Sequence, residues 1–319
     1  MRRHFSQWIS IGVLALYGVA SYAASFPLPS GDDAVVGEVQ MVVAQFEDTL
    51  SDIGRRYGIG YEEMISANPG IDPWLPGAGT KIIIPSQYVL PDVPREGIVI
   101  NLPEHRLYYF PPTKKNVQPE VITYPISVGK TGLTAPLGVS RVVDKRIHPT
   151  WTPPESVRAE HEADGQPLPK VVPPGPDNPL GDYAMRLDIP GGAYLIHGTN
   201  KPIAVGMPIT HGCFRMFPED IEQFFAMVPV NTRVRIVQQP LKMGWSHDAL
   251  YMEAHPPLEG NQNLETMSLT NITRMLVSAT RERTVSIDWD SAERIFKKAN
   301  GVPEALTSQP SLKSAAATE

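Results

Sequence analysis

The chain has 319 residues and a formal net charge of −6, and 42% of its residues are hydrophobic. This acidic balance argues against a nucleic-acid-binding protein, because such proteins carry a basic surface that meets the phosphates. The hydrophobic content excludes wholesale disorder and allows two or three domains. The 33 prolines are roughly twice the average share and favour strands, turns and extended connections over long helices.

The first 23 residues have the pattern of a secretory signal peptide. Arg2 and Arg3 precede an apolar run over residues 8–20, and Ser21 and Ala23 stand where a signal peptidase requires small residues. The apolar run is too short to span a bilayer comfortably. We therefore expect this segment to be removed on export, which leaves a periplasmic protein without an integral membrane span.

Residues 39–86 read as a small unit of their own. The pattern predicts a strand, two short helices and a second strand, over residues 39–44, 49–57, 61–68 and 80–84. The first helix is predicted to begin at residues 48–50, the second to end at Asn68-Pro69, and the closing strand to cover residues 81–85. With these three features the unit resembles a LysM module. The resemblance implies binding to glycan that contains N-acetylglucosamine, here peptidoglycan. The alternative is a packing domain without a ligand.

Residues 95–239 are predicted to form a β-dominated body. A helical pattern occurs over residues 218–227, while strands are predicted over residues 97–101, 105–110, 121–128, 138–144, 184–188, 193–197 and 233–238. The stretch 151–182 is rich in proline and glycine and has no periodicity. Such a stretch in a compact domain is usually disordered or functional, for example as a lid.

Residues 240–303 form a C-terminal extension of different character. We expect a strand over residues 249–254 and helices over residues 263–280 and 288–300. Residues 304–319 are small and polar, and they are predicted to be a disordered tail.

Cys213 is the single cysteine of the chain and has no internal partner for a disulfide. A thiolate is the nucleophile, so a working cysteine needs a base or an electropositive setting. His197, His211 and Arg215 are close in sequence and provide that chemistry. In an extended segment His211 and Cys213 lie on one side, and Arg215 is placed to attract a substrate carboxylate.

Gly198 and Gly212 permit close backbone approach and unusual φ values, as an oxyanion site built from backbone N–H groups requires. Two other interpretations stay open on residue types alone. Cys213 is either a small buried hydrophobe, or it forms a metal site with His197 and His211.

The segment His197-Gly198-Thr199-Asn200, followed by Thr210-His211-Gly212-Cys213-Phe214-Arg215, resembles the signature of YkuD-type L,D-transpeptidases. Thr210 stands where serine is commoner in that family. Residues 125–130, 135–138 and 148–154 are similar to the subgroup that contains the ErfK and YbiS proteins, whose members carry a LysM module and a C-terminal extension. The resemblance implies an α+β protein with a β-rich YkuD-type catalytic body, a βααβ LysM module and a mixed or helical extension.

The resemblance also implies roles for single residues. Cys213 would attack a peptidoglycan stem tetrapeptide and release D-alanine, with His197 as the base. The supporting residues are an oxyanion and active-site group, Gly212, His211, Thr210 and Gly198, and a substrate-binding pair, Arg215 and Tyr183. Thioester chemistry of this kind needs no metal or organic cofactor.

The acyl acceptor stays open among three groups: diaminopimelate of another stem, a lysine of an outer-membrane lipoprotein, or water, which would make the enzyme a carboxypeptidase. Three rival classes are weighed as well. A sortase-like enzyme separates its cysteine and histidine much further, an NlpC-type peptidase places cysteine before histidine, and a catalytically inactive protein would only bind peptidoglycan.

Overall fold

The computed structural model of the protein describes residues 24–258 and 268–307, which form three regions packed on one another. The predicted signal peptide, residues 1–23, lies outside the described residues. No helix of the described part is long and apolar enough to cross a membrane. The N-terminal region contains strands β1 (Ala24–Pro27), β2 (Val35–Gly37), β3 (Gln40–Val43), β4 (Lys81–Ile84) and β5 (Gln87–Val89) and helices α1 (Leu50–Arg56) and α2 (Tyr61–Ala67).

The strand, helix, helix, strand order predicted for the LysM-like unit is confirmed by β3, α1, α2 and β4. Strands β3 and β4 pair antiparallel across the helices. Helix α1 begins directly after Thr49, which forms a capping box with Asp52. The Thr49 side chain accepts a hydrogen bond from the Asp52 backbone N–H, and the Asp52 carboxylate accepts one from the Thr49 backbone N–H. Its apolar core contains Leu50, Ile53, Met64, Ile82 and Ile84, all of them buried.

The central region contains ten strands: β6 (Gly97–Asn101), β7 (Arg106–Phe110), β8 (Glu120–Pro125), β9 (Val128–Gly129), β10 (Gly138–Ile147), β11 (Tyr183–Leu187), β12 (Leu195–His197), β13 (Pro208–Thr210), β14 (Phe214–Arg215) and β15 (Arg233–Val237). Eight of them, together with β1 at one edge, form a nine-stranded sheet with the order β1-β8-β7-β6-β15-β10-β11-β12-β14. Strands β9 and β13 pair with each other outside this sheet.

Two helices belong to the central region, α3 (Glu155–Ala163) and α4 (Pro218–Met227). Helix α4 was predicted and packs its buried Ile221 and Phe224 into the main core. Helix α3 lies inside the 151–182 stretch, which the sequence predicts to be without periodic structure. That part of the prediction is wrong. The helix has a single buried residue, Val157, and no side-chain cap, so little in its own sequence marks it.

The C-terminal region contains β16 (Leu241–Ser246), β17 (Ala249–Ala254), α5 (Leu269–Ala279), α6 (Trp289–Lys298) and β18 (Glu304–Ala305). The three strands form a sheet in the order β16-β17-β18, against which the two helices pack. The first residues of the predicted helix 263–280 lie outside the described residues. The prediction of a tail from residue 304 is corrected, because β18 pairs with β17 and Leu306 is fully buried; residues 308–319 lie outside the described part.

Candidate active site

Parallel pairing of β12 with β14 brings the two catalytic candidates to one face of the sheet. His197 lies beside Arg215, and Ile196 lies beside Phe214. Cys213 immediately precedes β14, so the same register places it beside Leu195. Because side chains alternate along a strand, His197 and Cys213 point to the same side, while Ile196 and Phe214 point into the core and are fully buried.

This face forms one wall of a cavity of about 1060 Å³. The opposite wall comes from the 151–182 stretch, including α3, whose Val157 and His161 line the cavity. Five residues singled out from the sequence also line the cavity, namely Cys213, His197, Arg215, His211 and Thr210. The structure therefore brings together five of the eight predicted site residues in one cavity.

The turn before Cys213 is held by the Thr210 hydroxyl. That hydroxyl donates to the Cys213 carbonyl at 2.6 Å and accepts from the Gly212 backbone N–H at 3.2 Å. Gly212 has φ of 105°, and a Cβ there would come within 2.8 Å of the Tyr194 ring. Only glycine suits this position. Both hydroxyl contacts are equally available to a serine, so a serine at residue 210 could hold the turn in the same way.

His197 is buried, and burial together with the charge of Arg215 lowers its pKa to about 3. Its Nδ1 lies 2.7 Å from the Gly198 carbonyl oxygen. A contact of this kind requires the proton on Nδ1, because a carbonyl oxygen only accepts hydrogen bonds. Nε2 therefore carries the lone pair, and the imidazole is a neutral proton acceptor near neutral pH.

The Cys213 thiol donates to the Ala193 carbonyl at 3.4 Å. Burial raises the pKa of this thiol, although the Leu195 backbone N–H and the nearby Arg215 guanidinium lower it by smaller amounts. The resting site therefore holds a neutral thiol and a neutral imidazole on the same side of the sheet. Such a site makes its thiolate at the moment of attack and does not store an ion pair.

Gly198 follows His197 in the chain and does not line the cavity. A Cβ at this position would come within 3.1 Å of Ile221 of α4 and 3.3 Å of the Leu180 carbonyl oxygen. Glycine therefore allows α4 to pack closely against the end of β12, which fixes the backbone that carries His197.

His211 contacts a residue that the sequence did not single out. Its Nε2 lies 2.9 Å from Glu160 of α3, and Lys130 donates to the same carboxylate at 2.6 Å. The hydrogen bonds from Lys130 and His211 lower the pKa of the Glu160 carboxyl. Helix α3 is thus joined by a hydrogen bond to the segment that carries His211 and Cys213.

The structure does not bring Tyr183 to the cavity. Its ring packs on Phe225 of α4, on the opposite side of β11. Ala184 and Arg186 face the cavity instead, because Ala184 pairs with His197 across the β11 and β12 strands. Alternation along β11, once aligned with His197, is the signal that would have identified Arg186.

The described residues do not collect His197, His211 and Cys213 as a group of metal-ligand atoms. The group of three such residues that the described part does bring together is Glu104, Glu253 and His255. There the Lys242 ammonium pairs with both carboxylates, so a protein cation already holds the position that a metal would take.

Comparison with known proteins agrees with this geometry. The model of the YkuD L,D-transpeptidase catalytic domain matches residues 95–236, and that of the LysM domain matches residues 42–85. The chain is 41% identical over 265 residues to a protein of Escherichia coli K12 described as probable L,D-transpeptidase YcfS, covering 81% of this chain and 82% of the relative. It is 38% identical over 289 residues to probable L,D-transpeptidase YbiS of the same strain, covering 89% and 92%.

A solved structure, L,D-transpeptidase 3 from Mycobacterium tuberculosis, aligns with a TM-score of 0.32 and 16% identity. The alignment covers 68% of this chain and 99% of that one.

Proposed function

The chain belongs to the YkuD family of L,D-transpeptidases, and from this premise we propose that it acts on stem tetrapeptides of peptidoglycan. Cys213 takes the acyl group as a thioester, D-alanine leaves, and an amine receives the acyl group. The observation that carries the proposal is that His197 of β12 and Cys213, which immediately precedes the parallel strand β14, lie on one face and line a large cavity.

The contact of His197 Nδ1 with the Gly198 carbonyl leaves Nε2 as the base of the first half-reaction. The third residue of the stem is a diamino acid such as meso-diaminopimelate. His197 Nε2 takes the thiol proton while Cys213 Sγ forms a bond to the carbonyl carbon that joins this residue to D-alanine. Negative charge develops on the carbonyl oxygen and is met by backbone N–H groups near Cys213. The carbon–nitrogen bond then breaks, and the proton on His197 passes to the departing amine.

The second half-reaction reverses these steps with a new nucleophile. An amine attacks the thioester, His197 takes its proton, and the Cys213 thiol is restored. We propose an amine acceptor, either diaminopimelate of another stem or a lysine of an outer-membrane lipoprotein. With water as acceptor the enzyme is an L,D-carboxypeptidase. Mass spectrometry of muropeptides, after incubation with tetrapeptide-bearing sacculi and a candidate lipoprotein, distinguishes the three products.

The nucleophile is tested by intact mass after incubation with a carbapenem. We expect a stoichiometric adduct on the wild-type protein, its loss in Cys213→Ser, and its retention in Thr273→Ala, a change at an exposed position of α5. Absence of an adduct on the reduced wild-type protein would count against cysteine catalysis. Unchanged D-alanine release by Cys213→Ser would do the same.

The LysM region supports binding to the glycan strand through exposed apolar side chains on two loops. Phe46 is 84% exposed, Leu75 is 78% exposed, and Trp74 rests on the Tyr61 ring with 5.7 Å between ring centroids. Exposed aromatic faces are typical of surfaces that recognise a ligand, and sugar rings pack on them. A Trp74→Ala variant should bind sacculi more weakly while it forms the carbapenem adduct at the wild-type rate.

We also propose that the enzyme works in the periplasm, on the strength of the N-terminal sequence pattern. N-terminal sequencing of the exported protein tests this, and a mature chain that begins at Ala24 is the expected result. Recovery of the whole chain from the cytoplasmic fraction, with Met1 retained, would contradict it.

A further inference from the structure

Four strands arrange the floor of the catalytic cavity in two rows. In one row Arg146 lies beside Ala184, which lies beside His197, which lies beside Arg215. In the other, Asp144 lies beside Arg186, which lies beside Leu195, and Cys213 follows in the same register. Each row thus holds one catalytic residue and at least one arginine.

Arg186 is the arginine of the row that contains Cys213. It is exposed and lines the cavity. Its cross-strand neighbour Asp144 is already engaged, because the Asp144 carboxylate accepts from Arg146 Nε at 2.7 Å. No ion pair or hydrogen bond of the Arg186 side chain occurs within residues 24–258 and 268–307. An arginine without a protein partner on the cavity surface is available to a substrate anion.

The two arginines beside the catalytic pair face different parts of a substrate. Arg215 lies next to His197. In the proposed mechanism His197 returns the proton to the departing amine, so Arg215 is on the side of the leaving D-alanine. Arg186 is two strands away from Cys213, and with a spacing of about 4.8 Å between strands the two backbones are about 10 Å apart. A group that reaches Arg186 must extend sideways from the acyl residue held at Cys213.

We propose that Arg186 binds the side-chain carboxylate of the diamino acid at the acyl-donor position and thereby selects donors that carry a free carboxylate there. This inference rests on the proposed function, since it names a feature of that substrate. Guanidinium and carboxylate pair through two parallel hydrogen bonds, a geometry that a carboxamide does not reproduce. Arg186 is a specificity residue and takes no part in bond making.

The test compares two synthetic tetrapeptides that differ only in the third residue, one with meso-diaminopimelate and one with its side-chain carboxyl converted to a carboxamide. D-alanine release is measured for the wild-type protein, Arg186→Ala and Arg186→Lys. Loss of a charged hydrogen-bonded pair should lower kcat/KM of Arg186→Ala for the free carboxylate about 10- to 100-fold. The amidated peptide should change less than about 3-fold, and Arg186→Lys should restore part of the loss.

Arg141→Ala is the matched control, because Arg141 is an exposed arginine of the same sheet that pairs with Asp188 at 3.2 Å and does not line the cavity. It should leave kcat/KM for both peptides unchanged. The rate of carbapenem adduct formation at Cys213 checks that Arg186→Ala is folded. The carbapenem carries no diamino acid side chain, so this rate should match that of the wild-type protein.

Two results would overturn the inference in distinguishable ways. An equal fall of kcat/KM for both peptides in Arg186→Ala, with the wild-type protein active, would refute the carboxylate contact and leave the proposed function in place. A wild-type protein that forms the carbapenem adduct but releases no D-alanine from either peptide would refute the proposed substrate, and the inference with it.

Discussion

Charged side chains are handled in opposite ways in two regions of this molecule. At the junction of the three regions, the buried Arg106 guanidinium donates two hydrogen bonds to the Glu63 carboxylate of α2, at 2.7 and 2.9 Å. Buried Lys242 of β16 pairs there with Glu104 and Glu253. In the catalytic cavity the guanidinium groups of Arg186 and Arg215 have no carboxylate partner among the described residues, and Arg215 Nε is buried without a hydrogen bond.

The buried ion pairs join the regions of the chain to one another, whereas the unpaired arginines of the cavity are open to a ligand. A buried charge without a partner is costly, so the pairs at the meeting of the regions tie the LysM helices and the C-terminal sheet to the central sheet. The cavity leaves the guanidinium groups of Arg186 and Arg215 without a carboxylate partner among the described residues, so these two groups are free for an anionic ligand. Substitutions in the two regions should therefore affect different measurements.

The largest effect is expected for His197→Ala in the cavity. Loss of a general base should slow carbapenem acylation of Cys213 about 10²- to 10⁴-fold. The pKa of His197 is lowered to about 3, so the wild-type rate should be flat between about pH 5 and 7. Since burial raises the pKa of the Cys213 thiol, acylation of the variant depends on rare thiolate and should rise about tenfold per pH unit. Stopped-flow measurement of the adduct checks both profiles.

A wild-type rate that rises tenfold per pH unit over the same range would contradict this assignment. It would mean that the thiolate forms before attack, without help from His197. Gln87→Ala, a change far from the cavity in β5, serves as the control and should keep the flat profile.

The second effect concerns stability. Glu63→Leu leaves the Arg106 guanidinium buried without a counter-ion and also removes the acceptor of the Gly60 N–H at 2.9 Å. We expect the free energy of unfolding to fall by about 3–5 kcal/mol. Urea denaturation followed by circular dichroism measures the change, and carbapenem acylation of the folded variant should stay near the wild-type rate.

The double variant Glu63→Leu with Arg106→Met is the matched control for the pair. Replacing both charges by apolar side chains removes the unpaired charge, so it should regain most of the lost stability. A double variant as unstable as Glu63→Leu alone would show that packing, and not the unpaired charge, causes the loss.

The third prediction concerns the free energy of unfolding at acidic pH, to which the buried Glu253 carboxylate contributes. Burial alone raises the pKa of this carboxyl, but the Lys242 ammonium, His255 and the Val89 backbone N–H outweigh it and lower the pKa to about 2. A lowered carboxyl pKa stabilises the fold at pH values above its ordinary 4.5, and this stabilisation is lost as the pH falls from 4.5 towards 2. Glu253→Gln should flatten the unfolding free energy over that window.

Glu293→Gln is the comparison for this series, because Glu293 makes an exposed pair with Lys297. It should keep the wild-type slope between pH 4.5 and pH 2, where the Glu253 stabilisation is lost. An unchanged slope in Glu253→Gln would show that other groups carry the acid sensitivity of the fold.

The sequence predicts well what is encoded within a few residues. The capping exchange between Thr49 and Asp52 starts α1 at the expected residue, and the Thr210 to Cys213 turn is held by its own hydroxyl. The strand, helix, helix, strand order of the LysM region follows from such local signals. His197 and Cys213 could be named as candidates because one short stretch of sequence carries both of them. The pairing of β12 with β14 then brings the two ends of that stretch together.

Contacts that depend on which strands become neighbours could not be predicted. Glu160 meets His211 across 51 residues, and Lys242 meets Glu104 across 138. Nothing in either local pattern indicates the other partner. Tyr183 shows the same limit at a smaller scale, because the position next to it, Ala184, is the one that faces the cavity. A strand register that is off by one residue turns every side chain to the other face.

The smallest effect is expected for an ion pair that joins the LysM region to the central region at the surface. Arg55 donates to Glu219 at 2.7 and 2.8 Å, but the two side chains are 42% and 30% exposed. Water and salt screen such a pair, so a double-mutant cycle of Arg55→Ala and Glu219→Ala should give a coupling free energy of about 0.2–1 kcal/mol. The coupling should shrink as salt is added.

The cycle is needed because Arg55 also lies over the Phe217 ring, with 5.4 Å between the guanidinium carbon and the ring centroid, and the single variants include that contact. A coupling above about 2 kcal/mol that is insensitive to salt would mean that this contact behaves like a buried pair. The distinction between buried, paired charges and solvent-exposed charges would then not hold at the contact between the LysM region and the central region. A small, salt-sensitive coupling would instead leave Glu63 and Arg106 as the charges that hold the LysM helices to the sheet.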